Sequence, residues 1–177
     1  MDIIESLKSR FHVEEIIDLS YFEKDGLFLE GTGSMVLDRR YKIAYAALSP
    51  RTHLKPLQAF SEAMGYEIIP FTAYDLKDVP IYHTNVMMCI GDGFAVVCLK
   101  AVKNEDERYT LKRVLEETGK EIIEIYPEQL GAFVGNMLMV KNHSDEKIMV
   151  MSTGAYESLT TQQRILLEEF TSRLLYV

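Results

Sequence analysis

The chain has 177 residues, 47% hydrophobic and 26% charged, a balance that can bury a core and excludes a disordered polymer. Its net charge of −8 argues against a nucleic-acid binder, which normally carries a basic face for phosphates, so no nucleic-acid partner is expected. No apolar run approaches the ~18 residues of a spanning helix, and Met1-Asp2-Ile3-Ile4-Glu5 lacks the basic start of a signal peptide, so no membrane association is expected.

In chain order, residues 3–11 read as a helix and 13–19, with Glu14-Glu15-Ile16-Ile17, as a strand. The glycine-rich bend Leu29-Glu30-Gly31-Thr32-Gly33-Ser34 leads into a first strand at 34–37. The turn Asp38-Arg39-Arg40 and a second apolar run, 42–48, complete a β-hairpin. A helix over 52–64 with Gly65 as its C-cap follows, then a closing strand at 66–69. The same order recurs in a second pass. It gives a strand at 85–88, the turn Gly91-Asp92-Gly93, a run over 94–102, a helix over 104–118 ended by Gly119, and a strand at 120–123. Asn104 and Glu107 have the spacing of a capping box. A third pass gives a strand at 136–139, the turn Asn142-His143-Ser144-Asp145, a strand at 147–151, a helix over 161–171 capped by Thr160, and a strand at 173–176.

The first strands open at Ser34, Asn85 and Asn136, a period of 51 residues. The fold expected is therefore α/β, built from ββαβ repeats packed around a shared core, with about three and a half repeats present. One incomplete domain spans 1–177, divided into 1–24 (the end of one repeat), 25–74, 75–126 and 127–177. A closed propeller of such units needs more chain, so the sequence reads as a large fragment.

Cys89 and Cys98 lie inside apolar runs and read as small buried residues. They form no disulfide framework and no zinc-ligand spacing, so a reduced, cytoplasmic setting without metal is expected. Singly, Glu30 reads as a solvated turn carboxylate and His83 as a partly buried strand residue. Yet Glu30 and His83 lie just ahead of first strands and Asn136 opens one, and equivalent positions of repeats converge on one axis. They are expected around a single central cavity, an acid, an imidazole and an amide suited to general acid–base work on a small polar substrate.

The bend at 29–34, Tyr82-His83-Thr84-Asn85, the stretch Ala46-Ala47-Leu48-Ser49-Pro50-Arg51-Thr52 and Gly135-Asn136-Met137-Leu138 together resemble the pentein superfamily of guanidine-modifying enzymes. Within it they look most like the amidinotransferase-like branch described as citrulline hydrolases, related to arginine deiminases. The resemblance covers nearly the whole chain and implies an α/β-propeller of five ββαβ units. It also implies a C–N hydrolase working through a Cys–His–Glu covalent mechanism, with no cofactor. Glu30 would contact the substrate's planar nitrogen centre and help hold the histidine. His83 would protonate the departing amine and activate water. Arg51 would orient substrate or brace the structure, and Asn85 and Asn136 would contact the substrate. The family's nucleophilic cysteine belongs to a glycine- and serine-rich segment near the C-terminus. Neither cysteine here lies in such a segment, so this chain alone is expected to be inactive.

Two departures bear on substrate. Many relatives read Glu-Gly-Gly-Asp where this chain has Glu30-Gly31-Thr32-Gly33, and His-x-Asp where it has His83-Thr84-Asn85. An amide both donates and accepts, so losing two acids favours a neutral ureido compound, citrulline over arginine. The alternative is a non-catalytic binding module on the same fold. Exposed sheet edges of an unclosed propeller leave room for a homo-oligomer.

Overall fold

A computed structural model of the chain describes residues 3–177. The strands form three separate three-stranded sheets. The first holds β1 (Val36–Asp38), β2 (Ile43–Ala47) and β3 (Glu67–Phe71). The second holds β4 (Met88–Ile90), β5 (Phe94–Val97) and β6 (Glu121–Glu124). The third holds β7 (Leu138–Lys141), β8 (Lys147–Met151) and β9 (Arg173–Tyr176). The helices are α1 (Ile3–Lys8), α2 (Gly31–Ser34), α3 (Leu54–Met64), α4 (Glu105–Glu117), α5 (Thr153–Ser158) and α6 (Thr161–Phe170). Among the described residues no helix is long and apolar enough to cross a membrane.

In every sheet the first two strands pair antiparallel and the third joins the middle strand parallel. A parallel pairing needs a crossover, which α3, α4 and α6 supply. Each unit is thus ββαβ, the α/β architecture of the propeller class. The units stand side by side, with β1 packed against β4 and β4 against β7. The middle strands β2 and β5 are apolar and buried on both faces because both are covered, whereas β8 leaves Ile148 and Val150 half-buried. In β2, Ile43, Tyr45 and Ala47 join the large core between units, while Ala44 and Ala46 join a smaller cluster with Leu57 of α3 and Tyr66.

Polar side chains interlock neighbouring units. Asn104 caps α4, its side chain accepting from the Asp106 and Glu107 amides. The expected capping box is only half made. Glu107 instead reaches back to the preceding unit, where its Oε2 accepts from Thr72 N at 2.7 Å and Thr72 Oγ1 at 2.8 Å. Gln163 holds the same third position in α6. It completes a capping box with Thr160 and also donates to the Glu124 carbonyl of β6 at 2.8 Å. Gly65 and Gly119 follow their helices, as the sequence suggests, and both adopt the left-handed conformation.

Several expectations need correction. Residues 13–19 form no strand. In the three units the closing strand pairs with the middle strand of its own hairpin, and no described hairpin offers residues 13–19 that partner. Val13, Ile16 and Ile17 remain exposed. The first strands begin two or three residues later than expected, because the segments ahead of them coil into α2 and a 3₁₀ turn at Thr84–Val86. The run 94–102 stops being strand after Val97 and turns through Leu99–Ala101. Helix α5 was not foreseen; its N-cap is Ser152, whose Oγ accepts from Ala155 N.

The most buried ion pair crosses a unit boundary. Lys120, ahead of β6, donates to Asp38 at the end of β1, and both side chains are at most 6% exposed. Asp38 also accepts from the amides of Arg40 and Tyr41. Removing one member strands a buried charge, so Lys120→Met should lower unfolding free energy by about 3–5 kcal/mol in urea titration. The double variant Asp38→Asn/Lys120→Met should lose less than the sum of the single changes.

Candidate functional site

The site is assembled from the segments that precede β1 and β4 and the loop that follows β2. Glu30 precedes α2, and its amide donates to Ser34 Oγ at 2.7 Å. The same hydroxyl donates to the Arg51 carbonyl at 2.8 Å, tying the loop at 49–52 to the Glu30 turn. Ser49 Oγ accepts from Arg51 N and donates to the Tyr82 carbonyl of the next unit at 2.8 Å. Ser49 is therefore a brace, and Arg51 is carried by it.

These braces bring Glu30 and His83 together across the boundary between the first two units. His83 Nε2 lies 2.7 Å from Glu30 Oε2, and Arg51 Nη1 lies 3.6 Å from the same oxygen. The imidazole side chain is 18% exposed, the carboxylate 42%. A proton carried on Nε2 would point at the carboxylate and leave Nδ1 as the acceptor of the ring. Tyr82 completes the group, its ring 4.9 Å from that of His83 and 5.2 Å below the Arg51 guanidinium. Gly33 is dictated by the imidazole. A Cβ there would lie 2.8 Å from His83 Cε1 and Nδ1, so any side chain would force the ring to shift.

Asn85 and Asn136 meet elsewhere. They line a cavity of about 450 Å³ together with Thr32, Cys89 and Arg39. Neither Glu30 nor His83 is among its lining residues, so the single cavity expected around Glu30, His83 and Asn136 is not seen; the acid–imidazole pair lies beside this cavity. Thr32 links them, two residues from Glu30, as does Asn85, two residues from His83. Gly135 lets the third unit close on this wall, where a Cβ would lie 2.5 Å from the Val86 carbonyl. Sequence reasoning missed Tyr82 and Thr32 as site residues. Both sit within the motifs it quoted, and their proximity to chemistry-bearing neighbours was the available signal.

Both thiols are buried and free. Burial pushes Cys89 up to about 12 and Cys98 up to about 11, from an ordinary value of 9.0, since desolvation penalises the thiolate. Among the described residues, no group of three or more His, Cys, Asp and Glu side chains could hold a metal ion.

An acid–imidazole pair held between ββαβ units prompts comparison with known families. A family profile described as N,N dimethylarginine dimethylhydrolase, eukaryotic, matches residues 1–176. The chain belongs to that family. It thereby falls in the pentein superfamily of guanidino-modifying proteins. Comparison by sequence with curated proteins gives no match. Among solved structures, the N-terminal domain of ArgZ, an arginine dihydrolase of cyanobacteria, superposes with a TM-score of 0.66 at 17% identity over 89% of this chain. AgrE in complex with L-arginine gives 0.64 at 20% identity over 89% of this chain and 23% of its own. Agmatine deiminase of C. jejuni gives 0.54 at 18% identity over 99% of this chain. The chain spans about half the length of the ArgZ domain and of the deiminase, 56% and 55%. At these identities the likeness is one of fold.

Two outcomes follow from the site. Gly33→Ala should displace His83, seen as loss of the wild-type His83 ring resonances in an otherwise native spectrum. The native thiols should resist alkylation at pH 8 and react only on unfolding. Because their folded values are raised, the stability they contribute is complete below pH 9.0 and fades as pH climbs through about 11 and 12. Rapid labelling of the folded chain at pH 8 would contradict this.

Proposed function

We propose that the chain supplies the acid–base half of a hydrolase acting on the planar carbon of a guanidino or ureido amino acid. The observation that carries this reading is the 2.7 Å contact between Glu30 Oε2 and His83 Nε2. It is supported by membership of a family named for dimethylarginine hydrolysis and by neighbours named for arginine and agmatine.

Glu30 holds the imidazole with its proton on Nε2 and keeps Oε1 to accept from a substrate N–H. His83 takes the proton of the attacking thiol, passes it to the departing amine and then takes one from water. A thiolate adds to the central carbon, the C–N bond to the amine breaks, and the activated water later breaks the C–S bond. Neither cysteine of this chain is suited to that thiolate role, since both are core residues with raised pKa values. On this reading the chemistry calls for a thiolate that neither Cys89 nor Cys98 supplies.

A neutral ureido group is favoured over a guanidinium. Arg51 already lies against Glu30, and the adjoining cavity offers Asn85, Asn136 and Thr32 where acids would be needed to pair a cation. The purified chain should therefore release no amine from citrulline, arginine or dimethylarginine. Turnover abolished by Cys89→Ser or Cys98→Ser would overturn the assignment of the thiols. Once complemented with a cysteine-bearing segment, kcat/KM should favour citrulline, and Asn85→Asp should shift the ratio towards arginine. A tenfold preference for arginine, about 1.4 kcal/mol of transition-state discrimination, would reverse the substrate reading.

A further inference from the structure

Thr84 follows His83 directly and is wholly buried. Its hydroxyl donates to the Ser34 carbonyl at 2.5 Å and accepts from the Ala47 amide at 2.8 Å. Both partners belong to the first unit, whereas Thr84 belongs to the second. Ser34 is also the residue whose hydroxyl takes the Glu30 amide, and Gly33 beside it is the surface on which the His83 ring lies. A single oxygen thus links the backbone that carries His83 to the turn that carries Glu30 and to β2.

The lever from that link to the imidazole is short and stiff. His83 is extended at φ −133° and ψ 138°, and it caps a 3₁₀ turn. The Val86 amide donates to the His83 carbonyl at 3.2 Å and the Met87 amide to the Thr84 carbonyl at 3.1 Å. Giving one proton to a carbonyl while taking another from an amide is what a hydroxyl can do and a methyl cannot. Valine would match the shape of threonine without either bond.

We propose that Thr84 is a positioning residue that sets, across the boundary between units, the separation at which His83 Nε2 meets Glu30 Oε2, and so fixes the imidazole tautomer. The contact is a charge-assisted hydrogen bond, and a displacement well below 1 Å at the backbone is enough to break it. The inference stands on this contact and requires no substrate, so it survives a failure to find turnover.

The test uses the ¹⁵N-labelled 177-residue chain and long-range ¹H–¹⁵N spectra of its histidine rings. In the parent, His83 should show one tautomer, with Nε2 protonated and its proton shifted downfield. Glu30→Gln should weaken that signature and so assign it to the pair. Thr84→Val should give mixed tautomers and lose the downfield proton, while Thr84→Ser should keep both. If Thr84→Val does not fold, Thr84→Cys, of similar size and weak hydrogen bonding, should show the same loss. A folded Thr84→Val or Thr84→Cys chain that keeps the parent His83 signature, merely melting earlier, would reduce Thr84 to a structural residue and overturn the proposal. So would a parent chain in which His83 carries its proton on Nδ1.

Discussion

The lateral packing of β1 on β4 governs the rest of the molecule, because Glu30 and His83 belong to different units and neither unit alone sets an acid beside an imidazole. Apolar burial supplies most of the driving force for that packing, but it is non-directional and tolerates sliding. Direction comes from polar links placed along the boundary. Lys120 meets Asp38 at one end, Glu107 meets Thr72 at the helical side, and Ser49 meets the Tyr82 carbonyl beside the site. The next boundary repeats the device with other residues. Lys147 pairs with Asp92 at 2.7 Å, and Gln163 binds the Glu124 carbonyl.

Much of this architecture is legible in the sequence because its signals are local. The 51-residue period, the helix caps at Asn104 and Thr160 and the stops at Gly65 and Gly119 depend on residues a few positions apart. What resists reading is non-local. Glu107 has the spacing of a capping box, yet a threonine 35 residues earlier takes its carboxylate. Residues 13–19 carry the acidic and Ile-Ile pattern of a closing strand, but a strand exists only where a neighbour completes its ladder. The turns ahead of β1 and β4 are hidden for the same reason. Ser34 and Thr84 satisfy backbone groups there that an extended chain would have left to a sheet.

At the candidate site, position within the repeat places Glu30 and His83 on neighbouring segments, and the structure brings them into contact. The same logic does not separate Asn136 from them, because a period specifies which segments are equivalent and not how each turn aims its side chains. Gly33 illustrates the difference between motif and space. In the sequence it reads as a missing acid, a statement about ligand charge. In the structure it is also a steric requirement, since the His83 ring occupies the volume a Cβ would need. Charge and space are linked here. An acid at this position would require the imidazole to shift.

Cys89 shows why proximity to a cavity does not make a nucleophile. It borders the same space as Asn85 and Asn136, yet its backbone is fixed in β4 opposite Val96 and its side chain faces the core. Reactive thiols need a cation or a helix N-terminus to favour the thiolate, and exposure to meet a substrate. Cys89 has neither advantage. Its burial raises its pKa instead, which is the proper state for a residue that seals β4 against the third unit. The protonation chemistry at Glu30 and His83 and the packing chemistry at Cys89 make opposite demands on water. The boundary between units satisfies both by leaving the first pair partly solvated and the second group dry.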